Sequence, residues 1–127
     1  MTAEEFRRVA LSFRDAVEGR HHDHPDFRVH GKIFATLGYP DAGWAMVRLT
    51  PAQQGRFVAA HPECFQCVKG GWGRRGATNV NLFAATAALA RRSLALAHRN
   101  VCAARQRTAP RTAAQPIGRA PAKKRAS

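Results

Sequence analysis

Hydrophobic and polar positions along the chain change period several times, and each change marks an element. Phe6, Val9, Ala10 and Phe13 recur at helical spacing behind Thr2-Ala-Glu-Glu5, a capping box in which hydroxyl and carboxylate each take an orphan amide. This predicts a first helix that ends near Val17 to Gly19, with Gly19 as its C-terminal glycine. The polar run Arg20 to His24, closed by Pro25, reads as a loop. Period two follows: Phe27 and Val29, then Ile33, Ala35 and Leu37, joined by a His30-Gly31 turn. A strict two-residue turn would put these two sets on opposite faces of the sheet, so a bulge at the turn is expected to unite them.

Asp41-Ala-Gly43 reads as a second turn, and Ala45, Val47 and Leu49 as a third strand. Thr50 then caps a helix with Pro51 at its first position and Gln53 completing the box; Phe57 and Val58 face the core. Past Pro62, a short irregular segment leads to a glycine-rich loop. Thr78, Val80 and Leu82 alternate with Asn79 and Asn81, a strand with one wet face. Leu89, Leu96, Ala97 and Val101 mark a last helix running to about Arg105. The order α-β-β-β-α-β-α is expected to give an α+β domain, helices packed on an antiparallel sheet.

Within 127 residues, 45% of them apolar, there is room for one domain, residues 1–105. Residues 106–127, rich in Ala, Pro, Arg and Lys without periodicity, read as a disordered tail. The net charge of +13 divides between the two parts. Fourteen Lys/Arg and all eight acids precede position 100, whereas seven Lys/Arg and no acid follow Val101. Such charge favours polyanionic partners. Three cysteines, Glu4 and Glu5 near the start, and no long apolar run point to a soluble protein of the reducing cytoplasm, without a membrane partner.

The densest chemistry lies in Lys69-Gly-Gly-Trp-Gly-Arg-Arg-Gly-Ala-Thr78. Four glycines let the backbone turn tightly or approach a partner, Arg74 and Arg75 offer forked donors to phosphate, and Trp72 offers a stacking face or a plug for the core. A Walker loop is excluded, because Gly-Lys-Ser/Thr is absent. Upstream stands His24-Pro-Asp-Phe-Arg-Val-His-Gly-Lys-Ile-Phe-Ala-Thr-Leu37, whose turn carries Arg28, His30 and Lys32.

These two segments, in this order and with Leu49-Thr-Pro-Ala-Gln-Gln54 between them, resemble the MmcQ/YjbR family of small bacterial proteins over about residues 2–105. The resemblance implies an α+β fold, a double-wing arrangement of loops, and DNA binding. Two positions depart from the family pattern: Phe13-Arg14 stands where a Leu-Pro pair is usual, and the last helix opens among Ala84, Ala85 and Thr86 rather than acids.

Other chemistry has weaker support. His21-His-Asp-His24 with Asp26 has metal-binding residue types, yet ligands so close in sequence must bend around one ion. Cys64-Phe-Gln-Cys67 is half of a zinc knuckle without its second pair, and it lacks the strand-to-helix setting of a redox motif. No nucleophile elbow or convergent carboxylate pair is present. The expectation is a non-enzymatic DNA-binding protein with no cofactor and no metal. Lys69, Arg74 and Arg75 would pair with phosphates, Arg28 and Lys32 would make a second contact, Trp72 would fix the loop or stack, and the basic tail would add further phosphate contacts. The alternative is a module that binds a protein or a small ligand without touching nucleic acid.

Overall fold

The computed structural model describes residues 1–108; the rest of the basic tail lies outside the described residues. Helix α1 (Ala3–Leu11) opens with the expected Thr2/Glu5 capping box and stops at Ser12, well short of Gly19. The apolar stripe ends at Phe13, and Asp15 takes a left-handed φ of 62°, which no helix continues. The chain then forms an unforeseen strand, β1 (Ala16–His21), which pairs with β2 (His24–Val29). His22 and Asp23, at φ 50° and 64°, make the two-residue turn between them. That turn normally carries Asn or Gly, so His-Asp gave no warning of it.

The His30-Gly31 turn joins β2 to β3 (Lys32–Leu37) and is itself a strict two-residue turn. The bulge lies deeper. Arg28 pairs with Ile33 and Phe27 with Ala35, so Phe34 is the extra residue. Phe27, Val29, Ala35 and Leu37 thereby share the core with Phe34, and Ile33 moves to the side of Arg28.

Strand β4 (Trp44–Arg48) and helix α2 (Pro51–Ala60, with its Thr50/Gln53 box) follow as expected. Two further elements emerge. Cys64 to Cys67, expected to be irregular, contains β5 (Phe65–Cys67), and the glycine-rich loop contains one short helix, α3 (Gly71–Arg74). Strand β6 (Ala77–Asn81) and α4 (Ala87–Thr108) complete the fold.

The six strands form one antiparallel sheet in the order β1-β2-β3-β4-β6-β5. α1 and α4 cover the inner strands of one face, where Phe6, Phe27, Phe34, Val47 and Leu94 are fully buried. α2 packs beside them, with Phe57 edge-on to Phe65 at 4.9 Å between ring centroids. Among the described residues the opposite face has no long helix.

Candidate functional site: an open sheet face and its cationic end

Antiparallel register fixes which loops lie together. Val29 pairs with Lys32, Arg48 with Ala77, and Cys67 with Thr78, so the His30-Gly31 turn and the loop of residues 68–76 leave the same end of the sheet. The two family segments therefore converge. Arg14 lies just before β1 at this end, and the C-terminal half of α4 is tied there. Its His98 imidazole bonds the Arg14 carbonyl at 2.8 Å, and Asn100 donates to the Arg48 carbonyl at 3.0 Å.

Charge follows this axis. Arg14, Lys32, Arg48, Lys69, Arg74, Arg75 and Arg99 are all exposed at the loop end, where Asp15 is the one acid among the described residues. Five of the eight acids (Glu4, Glu5, Asp23, Asp41 and Glu63) lie at the other end, in its turns or at the start of α1. Lys32, Lys69, Arg74 and Arg75 make no ion pair or side-chain hydrogen bond among the described residues.

Arg28 differs from these four. Its guanidinium grips the Asp26 carboxylate through Nε at 2.7 Å and Nη2 at 3.0 Å, and His21 Nδ1 approaches the same carboxylate at 2.8 Å. Asp26 is fully buried, and Gly19 opposite it leaves the room: a Cβ there would stand 2.9 Å from the Asp26 oxygen. The hydrogen bonds from Arg28 hold the Asp26 carboxyl below its ordinary pKa, opposed by burial and helped by His21. Arg28 thus serves the fold first.

A carboxylate with a depressed pKa contributes stability above its unfolded value of about 3.9 and loses it as pH falls through the folded one. Breaking a buried pair costs about 3–5 kcal/mol, and the partial exposure of Arg28 reduces this. Arg28→Ala is accordingly expected to cost about 2 kcal/mol at neutral pH. Urea midpoints should show the gap to the parent narrowing below about pH 4 as the stranded carboxyl protonates.

The glycines of the second segment turn out to shape the loop. A Cβ on Gly73 would lie 1.5 Å from the Val68 carbonyl oxygen, and one on Gly76 would lie 1.9 Å from that of Leu49. Their open sides face their own chain, not a ligand. Gln54, buried on α2, pins the same loop by donating from Nε2 to the carbonyls of Gly73 and Ala77, both at 2.9 Å. This explains physically why the Thr50–Gln54 segment accompanies the glycine-rich one. Trp72 is 49% exposed, so it is not a core plug.

Trp72 instead overhangs the open sheet face. Gly19, Asp26, Thr36, Met46, Asn79 and Gln66 pair in one row across all six strands on that face. Thr36 and Met46 are buried, at 5% and 3% exposure, without a long helix over them. They form, with Asn79, the floor of a cleft of about 250 Å³. His21, His22, His24 and Tyr39 line one side and Val68 and Trp72 the other.

The histidines in this wall pack ring against ring. His21 lies 5.5 Å from His22, and His24 lies 5.7 Å from Tyr39, both edge-on. Among the described residues no group of three His, Cys, Asp or Glu side chains is placed to hold a metal ion. Cys64 is buried and Cys67 exposed, both as free thiols. Burial pushes the Cys64 thiol pKa up, assisted by Glu63, which disfavours the reactive thiolate.

Helices on one face of an antiparallel sheet, with a cleft on the other and a cationic end, define an open-faced α+β fold. The chain belongs to the YjbR family, whose model matches residues 11–99. Among solved structures it is similar to the Deinococcus radiodurans protein DR2400, assigned to domain DUF419, with a TM-score of 0.65 at 17% identity, covering 84% of this chain and 86% of that one. That likeness establishes the fold. No curated protein matches the chain. No helix among the described residues is long and apolar enough to cross a membrane.

Proposed function

We propose that this protein binds DNA without catalysis, holding the phosphate backbone at the cationic end of its sheet. The observation that carries this reading is the convergence of Lys32, Lys69, Arg74 and Arg75, all free of acidic partners, on two loops at one end. Phosphate contacts of this kind position a duplex without reading its sequence. Arg48 and Arg99 widen the positive surface between and beside the two loops, and Arg28, engaged by Asp26, contributes charge more than contact.

Each phosphate neutralised releases counterions and adds about −0.9 to the slope of log K against log salt. Four contacts predict a slope of about −3.6 or steeper for a labelled duplex followed by fluorescence anisotropy. Binding that ignores salt, or no binding, would sink the reading. The cleft favours a second one, a module for a small ligand or a protein partner without nucleic acid. Salt-insensitive binding of such a ligand would select it.

A further inference from the structure

The cleft floor holds a buried polar group that no group among the described residues satisfies. Thr36 is 5% exposed and lines the cleft, yet its hydroxyl makes no hydrogen bond among the described residues. Buried hydroxyls nearly always have a partner. The Asn79 amide, two strands away across Met46, likewise makes no hydrogen bond among the described residues, and it offers both donors and an acceptor. Around these two lie an apolar floor, Met46, and aromatic walls. Apolar lining with a few convergent polar groups is the pattern of a site for an organic ring, and about 250 Å³ suits one small ring system rather than a larger molecule. Trp72 and Tyr39, 49% and 58% exposed, leave ring faces in solvent at its mouth.

The location narrows the ligand. Trp72 sits on the same short loop as Lys69, Arg74 and Arg75. A strand whose phosphates rest on those cations carries its bases past the Trp72 ring. Among the described residues the cleft presents no uncompensated carboxylate to repel such a strand, since Asp26 is held by Arg28 and His21. We propose that the cleft receives one unpaired base of a DNA strand, stacked on Trp72 and met at its edge by Thr36 and Asn79. This rests on the DNA-binding reading and adds a preference for single-stranded over fully paired DNA. Stacking of bases on exposed aromatic side chains is sequence-tolerant, because every base has a ring face.

The test uses the full-length protein and three probes: an oligothymidylate, an abasic deoxyribose-phosphate oligomer of equal length, and thymidine monophosphate. The oligothymidylate is expected to bind about tenfold tighter than the abasic oligomer, as one stacked base supplies. Trp72→Ala should erase that difference. Thr36→Val, close in shape, should narrow it several-fold. In a Trp44→Phe background, the remaining Trp72 emission should be quenched by the oligothymidylate and not by the abasic oligomer. Equal binding of the two oligomers by the parent would overturn the base site while leaving the phosphate contacts standing. A preference that survives Trp72→Ala would overturn it as well. Thymidine monophosphate binding as tightly as the oligomer would make the ligand a free nucleotide and overturn the strand assignment. Failure of both oligomers to bind would remove the DNA-binding reading itself.

Discussion

Replacing Arg74 and Arg75 together with alanine is expected to weaken duplex DNA binding about thirtyfold at moderate salt, on about 1 kcal/mol per solvent-exposed charge-assisted contact. Both side chains are exposed and neither has an acidic partner among the described residues, so their removal strands nothing within the fold. Stability should change by less than about 0.5 kcal/mol, as for ordinary surface positions. The salt slope should become shallower by about 1.8, two contacts' worth. Arg8→Ala together with Arg91→Ala, on exposed sites of α1 and the first half of α4 away from the two loops, serves as the charge-matched comparison. A general loss of positive charge would show in both variants. A phosphate contact at the loop end shows only in the first.

Gly76→Ala is expected to be strongly destabilising. Gly76 has a φ of +113°, a conformation that residues with side chains rarely adopt, and its missing Cβ would stand 1.9 Å from the Leu49 carbonyl oxygen and 2.7 Å from the carbonyl carbon. Backbone atoms cannot swing away as a flexible side chain does. Either the crossing of this loop over the start of α2 opens, or the strand pairing that follows it shifts. The expected cost is about 3 kcal/mol or more, a fall of roughly 15 °C in Tm for a domain of this size. Gly71→Ala, whose Cβ would meet nothing closer than an Arg74 nitrogen at 3.7 Å, should change stability by no more than about 0.5 kcal/mol. Thermal unfolding followed by circular dichroism measures both. A Gly76→Ala protein as stable as its Gly71→Ala counterpart would contradict the account of why this loop needs glycine.

The parts of the fold readable in the sequence are those specified by local chemistry. Two capping boxes, Thr2/Glu5 and Thr50/Gln53, set the starts of α1 and α2, and both form with reciprocal bonds. Alternation of Ala45, Val47 and Leu49, and of Thr78, Val80 and Leu82, placed their strands on the core face. The unforeseen elements are those that only pairing creates. β1 carries one exposed valine, a glycine and charged residues, and it is a strand because β2 offers it an edge. β5 is three residues long and depends on β6 in the same way. The last helix runs on to Thr108, past Arg105, because its Ala-rich end carries no stop signal before that point.

For the site, the two motifs were legible as chemistry but not as geometry. Lys69, Arg74 and Arg75 follow from composition alone, whereas their meeting with Lys32 at one end follows from register. The engagement of Arg28 by Asp26 needed the room left by Gly19, a residue whose sequence context pointed to a helix end. Thr36, Met46 and Tyr39 gave no signal. Each is an ordinary strand or turn residue until the sheet and the glycine-rich loop set them around one cleft with Trp72. Asn79 did give one, in the wet face of its strand, without showing what that face encloses.

The central claim is that the folded domain, and not the basic tail alone, holds DNA. It is tested most directly by measuring duplex binding at two salt concentrations with a chain ending after Thr108, which keeps every core residue, beside the same chain carrying Arg74→Ala and Arg75→Ala. The account predicts salt-sensitive binding by the shortened chain and a clear weakening by the double change. Binding by the full-length protein alone, with none by the shortened chain, would contradict it and assign the polyanion contact to the tail.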